Sequence, residues 1–137
     1  MKVIIDTNLW ISFLIGRQTQ LVRRMLTDVR FDVFVCDCLV EEIRDVATRD
    51  KIRKYVSLTD VEDLISIIHA FCQFAVIEAE VSQSAVRDPK DLYLLSLAET
   101  VGADYIVSGD ADLTDLGQHK HTRILKLTDF KTMMLYT

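Results

Sequence analysis

Five short apolar runs, at residues 3–5, 33–36, 75–77, 105–107 and 124–127, are separated by stretches with apolar residues at helical spacing. Unalternated runs of this length read as strands buried on both faces, which occur in parallel sheets covered by helices. The spacing predicts helices over 9–15, 20–29, 39–48, 61–74 and 89–101, a short helical turn at 51–56, and a last helix capped by Thr128 and running to 135. In 61–74 the stripe is Leu64, Ile65, Ile68 and Phe71. This alternation implies an α/β protein, a three-layer α/β/α sandwich around a central parallel sheet of four to five strands. One proline and four glycines leave little room for long loops, and no repeat or linker interrupts the chain. With 137 residues the expectation is a single domain, 1–137, large enough to bury a core unaided.

Other observations narrow the function class. No apolar run approaches a membrane span, and the first residues lack a basic segment with a cleavage site, so the reading is cytoplasmic. Cys36, Cys38 and Cys72 are odd in number, and the Cys-x-Cys pair has no second pair to complete a zinc site. Buried thiols are the simpler reading for an apolar environment such as that of Cys36. The net charge of −5 argues against a generally basic nucleic-acid binder but leaves room for a local basic patch.

The carboxylates carry the chemistry. The first apolar run stops on Asp6, and Asp110 follows another in "ADYIVSGDADL". Ligands of open parallel sheets bind beyond the carboxyl ends of the strands, so both acids point toward one rim. In "CLVEEIRDVATR" Glu42 shares the apolar stripe of Leu39, Ile43, Val46 and Ala47, whereas Glu41 is turned roughly 100° away. In "DPKDLYLLSLAETVG" Asp91 heads the stripe of Leu94, Leu95, Ala98 and Val101.

Each acid has a plainer role available. Asp88 and Pro89 suit an N-cap and first helical position, Asp91 would then sit at N3 near the helix dipole, Glu42 can reach water, and Asp112 can cap a turn. Asp6 has the weakest such account, because a buried strand end seldom carries an unpaired charge. Taken together, Asp6, Glu42, Asp91 and Asp110 would repel one another on the rim, and a divalent cation removes that conflict. An all-oxygen donor set selects Mg²⁺ or Mn²⁺, ions suited to phosphodiester hydrolysis.

Four blocks, "VIIDTNLWIS", "LVEEIRDV", "RDPKDLYLLSLA" and "ADYIVSGDADL", resemble in order the signature blocks of PIN-domain (PilT N-terminus-like) ribonucleases, in particular the toxin branch of toxin–antitoxin modules. The resemblance covers nearly the whole chain and implies a metal-dependent ribonuclease acting on single-stranded RNA. It matches Asp6, Glu42, Asp91 and Asp110 to the family's acids and Asp112 to a frequent additional one. It implies that Asp6, Asp91 and Asp110 ligate the ion directly and that Glu42 acts through water or holds a second ion. Thr7 and Asn8 match the polar residues after the first aspartate, and Ser108 retains the hydroxyl of the usual Thr. The "VCDCLVEE" block departs, with cysteines where polar residues are commoner.

Partners implied by the resemblance are an RNA substrate, a cognate antitoxin and a second copy of the chain, a homo-oligomer that Trp10, Phe13 and Leu14 can serve unless they are core. Lys51, Arg53 and Lys54, with Arg49, are candidate RNA contacts, and Arg17, Arg23 and Arg24 are a second group; a solvated helix face is the default for each. Two alternatives remain: a phospho-accepting response-regulator-like domain, and a non-catalytic PIN-fold interaction module. The first lacks an apolar strand ending on Asp at mid-chain, and the second has no need of all four acids. A haloacid-dehalogenase-type phosphatase is excluded, because its Asp-x-Asp is Asp6-Thr7-Asn8 here.

Overall fold

The computed structural model of the chain describes residues 1–79, 81 and 91–136. Six strands form one sheet: β1 (Lys2–Ile5), β2 (Asp32–Val35), β3 (Gln73–Phe74), β4 (Tyr105–Val107), β5 (Gln118–His119) and β6 (Thr122–Leu125), in the order β3-β2-β1-β4-β6-β5. All neighbours are parallel except β5 and β6. The helices are α1 (Thr7–Ile15), α2 (Thr19–Thr27), α3 (Asp37–Ala47), α4 (Asp50–Arg53), α5 (Leu58–Phe71), α6 (Leu92–Val101), α7 (Ala111–Thr114) and α8 (Leu127–Tyr136). Val3, Ile4 and Ile5 are all buried, as a central strand covered on both faces requires.

The expected α/β fold with a mostly parallel sheet is present, with corrections of detail. The sheet has six strands rather than four or five, because the antiparallel β5 is two polar residues long and carries no apolar signal. The expected strand at 75–77 is instead Gln73–Phe74, which pairs with the last two residues of β2, and α5 ends before it at Phe71. α5 also starts earlier than its apolar stripe, because Ser57 and Asp60 form a reciprocal capping box. The expected helix start at Asp88 and Pro89 lies outside the described residues. The helix described begins at Leu92 with Asp91 at its N-cap, and it closes on Gly102, whose φ of 68° is the left-handed conformation glycine adopts freely.

Right-handed crossovers dictate the layers. The chain steps from β1 through β2 to β3 in one direction, which puts α1 to α5 on one face. It then returns past β1 to β4 and steps outward to β6, which puts α6 and α7 on the other. α1, α3 and α5 pack together on the first face, and α6 packs on β1 and β4. Trp10 and Phe13 are core: they meet edge to face at 6.0 Å, and the Trp10 indole donates to the Ile5 carbonyl at 3.1 Å. Leu14 is half-buried against the same core, so this trio is no surface for a second copy. No helix among the described residues is long and apolar enough to cross a membrane.

Candidate active site

β1 and β4 are neighbours, yet the chain leaves them in opposite directions across the sheet. Their carboxyl ends therefore flank the crevice where parallel α/β sheets bind ligands. Ile5 pairs with Val107, so Asp6 and Ser108 emerge side by side one residue later. The Asp6 amide bonds the Val107 carbonyl at 2.9 Å, and the Ser108 amide bonds the Leu125 carbonyl at 2.9 Å, which fixes both backbones into the sheet.

Asp6 occupies the N-cap position of α1 but makes no side-chain cap bond. Its Oδ2 instead accepts the Ser108 hydroxyl at 2.7 Å. Ser108 Oγ also accepts the Asp110 amide at 3.0 Å. Asp110 in turn caps α7, its Oδ1 accepting the Asp112 amide at 2.9 Å. Ser108, fully buried, thus ties the Asp6 carboxylate to the Asp110 backbone. The price for Asp6 is electrostatic: burial first, then the charges of Glu42 and Asp110, hold its carboxyl above the usual range, and the Ser108 bond opposes them.

Among the described residues, Asp91, Asp110 and Asp112 each offer a carboxylate oxygen, and these oxygens lie within 4.8 Å of one another. Asp91 is buried; its Oδ2 has no hydrogen-bond partner, while the residue engages its neighbours elsewhere. The structure thus brings the additional acid Asp112 together with Asp91 and Asp110, while Asp6 is linked to Asp110 through Ser108 and through its charge coupling to Glu42 and Asp110. Glu42 is half-buried on α3 and Glu41 is exposed, the division that the helical stripe predicts. Thr7 is fully buried and Asn8 is exposed.

Tyr93 was not legible as a site residue. Its hydroxyl lies 3.1 Å from Thr7 Oγ1 and within the influence of Glu42 and Asp6. Position 93 has no facial relation to Asp91 that periodicity reveals; the packing of α6 beside the start of α1 creates the contact. Lys51, Arg53 and Lys54 are exposed beyond the end of α3, and Arg49 pairs with Asp45 at 3.3 Å. Arg17 and Arg24 line a cleft of about 660 Å³ with Lys131, and none of the candidate acids lines it.

Residues 2–112 match the PIN domain family. The chain belongs to that family. PIN domains are nucleases, and this one carries an acidic cluster at its sheet switch point. The PIN fold here is similar to a chain in the crystal structure of VapBC2 from Rickettsia felis bound to a DNA fragment from their promoter, with 10% identity, a TM-score of 0.59, and 92% of this chain and 98% of that one covered. It is also matched to the T. brucei RRP44 PIN domain, with 15% identity, a TM-score of 0.47, and 97% and 80% covered. No protein of curated function matches the sequence.

Proposed function

We propose that this PIN domain, residues 1–137, is a metal-dependent endoribonuclease that cleaves single-stranded RNA and serves in the cytoplasm as the toxin of a toxin–antitoxin pair. The convergence of Asp91, Asp110 and Asp112 carries the reading. Three carboxylates so close repel one another unless a cation joins them, and an all-oxygen donor set fits Mg²⁺ or Mn²⁺ rather than zinc. Such an ion, when bound, polarises a phosphoryl oxygen and activates water.

The chain's own residues supply the rest. Asp91, Asp110 and Asp112 would hold the ion, with Asp6 and Glu42 completing the acidic wall on the side of β1 and α3. Ser108 keeps Asp6 and Asp110 in fixed relation, so that the wall does not relax when RNA approaches. The acids exclude the phosphate backbone from any position that a cation does not neutralise, which makes binding of RNA and of metal interdependent. An RNA strand running along α3, about 16 Å long at 1.5 Å per residue, would reach the exposed Lys51, Arg53 and Lys54 beyond its end. The toxin assignment, the cognate antitoxin and homo-oligomerisation rest on the resemblance of the four sequence blocks, and the VapBC2-like fold is consistent with them.

The test is cleavage of a fluorophore–quencher single-stranded RNA with Mn²⁺ and with EDTA. Wild type should cleave only with Mn²⁺, and Asp91→Asn should not cleave in either. Equal cleavage in EDTA, or by Asp91→Asn, would overturn the reading.

A further inference from the structure

We propose that the cleft between α2 and α8 is a second phosphate-binding part of the RNA groove, holding the flank of the strand that leaves the acidic crevice on the side away from α3. The inference deepens the nuclease reading and rests on it.

The cleft encloses about 660 Å³. Among the described residues its lining carries three cations, Arg17, Arg24 and Lys131, and no carboxylate. In a chain with 16 Lys and Arg against 21 Asp and Glu, a wall of one positive sign is a local exception, and a concave one attracts a polyanion. Arg17 and Arg24 are exposed and Lys131 is half-buried, so all three heads can meet a ligand. Leu21 and Met134 give the cleft an apolar lining between them. The Asp28 carboxylate, whose charge Arg24 also feels, is held by Arg30 at 2.6 Å and does not line the cleft. The walls are fixed without any ligand. Arg30 also donates to the Met134 carbonyl at 2.7 Å, and Phe31 meets Phe130 edge to face at 5.1 Å, which ties the end of α2 to α8.

The position of the cleft selects its occupant. The Ser108 amide bonds the Leu125 carbonyl, so α8, starting at Leu127, leaves the same rim from which α1 leaves at Thr7. Met134 reaches Arg30, just ahead of β2, so α8 runs from that rim to the amino ends of the strands. Lys131 stands about 6 Å along α8, and Arg17 just past the end of α1, which is about 14 Å long. α3 leaves the rim from β2, on one side of β1, and α8 follows β6, on the far side of β4. A strand seated at the β1–β4 crevice therefore has α3 on one flank and this cleft on the other. The anion that cleavage at the rim delivers to the cleft is the neighbouring phosphodiester backbone, and guanidinium forks suit phosphate oxygens.

The test is anisotropy of a long single-stranded phosphorothioate RNA that resists cleavage, over a range of salt. Three phosphate contacts at about 0.7 each make the log–log slope of Arg17→Gln/Arg24→Gln/Lys131→Gln shallower than that of wild type by roughly two units. Between about 50 and 200 mM salt, wild type should therefore lose roughly 20-fold more affinity than the triple variant. Arg23→Gln, on α2 but outside the lining, should keep the wild-type slope. Gln20→Glu sets a repelling charge in the lining, within the first turn of α2 where an acid favours the helix, and should weaken RNA binding even should the triple variant fold poorly. Mn²⁺ binding and the cleavage of a trinucleotide, too short to leave the rim, should stay as in wild type in every variant. An unchanged salt slope in the folded triple variant, or an equal change in Arg23→Gln, would overturn the cleft and leave the nuclease reading standing. Binding of polyglutamate that falls in the triple variant while RNA binding does not would assign the cleft to an acidic protein and overturn the proposal. A wild type that neither binds Mn²⁺ nor cleaves the trinucleotide would overturn the nuclease reading itself, and the proposal with it.

Discussion

Ser108→Ala should destabilise the metal-free protein well beyond the loss of one oxygen atom. Ser108 is fully buried, and its hydroxyl makes two bonds, to Asp6 Oδ2 at 2.7 Å and from the Asp110 amide at 3.0 Å. The first is charge-assisted, worth about 1.5–3 kcal/mol, and the second leaves a partly buried amide without its acceptor. Together they predict a loss of about 2–4 kcal/mol. For a chain of 137 residues this is roughly 7–14 °C in Tm, measured by calorimetry in EDTA. The penalty also has a pH signature. The bond to Asp6 favours the ionised carboxylate, so its contribution is present at neutral pH and is lost as pH falls through the Asp6 titration. The gap between Ser108→Ala and wild type should therefore narrow as pH falls through the raised Asp6 titration, which lies above the ordinary Asp value of 3.8, and keep below it the share due to the Asp110 amide. A Tm change below about 2 °C, or a penalty independent of pH, would refute the claim that Ser108 carries the Asp6–Asp110 geometry.

Asp6→Asn should stabilise the metal-free protein at neutral pH. A carboxyl raised in the native state holds its proton more tightly there than in the unfolded chain, so ionising it costs folding free energy as pH rises above 3.8. The advantage should vanish below that value, and a less stable Asp6→Asn in EDTA at neutral pH would contradict the sign. Glu42→Gln should abolish metal-dependent RNA cleavage and Glu41→Gln should leave it nearly unchanged; like behaviour of the two would remove the facial argument. In a thiol titration of the folded protein Cys38, exposed, should react first, because burial pushes Cys36 up to about 11 and Cys72 up to about 12. Three equivalents reacting at one rate would mean these thiols are not buried. Replacing Lys51, Arg53 and Lys54 with Ala should flatten the log–log salt dependence of RNA binding by roughly two units at about 0.7 per contact, and an unchanged slope would move the groove elsewhere.

How much of this the sequence reveals depends on the range of the interaction. Val3–Ile5 and Tyr105–Val107 announce themselves because a strand buried on both faces needs no partner to look apolar. That also places Asp6 and Asp110 at the rim, since strand ends are local facts. Glu42 and Glu41 separate by helical phase alone. The rest depends on tertiary contact. β3 is two residues pairing with the end of β2, a register that no local pattern encodes. Asp112 is a family-matched acid in the sequence, but its carboxylate's meeting with that of Asp91, 21 positions away, is a tertiary contact. Tyr93 meets Thr7 across 86 positions of sequence, beyond the reach of any period. Trp10 and Phe13, equally apolar on an exposed or a buried helix face, needed the packed molecule to settle them as core. The Ser57–Asp60 box was available as a local signal, and it explains why α5 begins ahead of its apolar stripe.

The central claim is that the acids at the β1–β4 switch point form a divalent-cation site. Its most direct test is calorimetric titration of the metal-free protein with Mn²⁺, for wild type and for Asp91→Asn, with circular dichroism confirming that both are folded. Saturable binding by wild type that is lost in Asp91→Asn is the predicted result. Equal binding by the two folded proteins, or none by either, would contradict it.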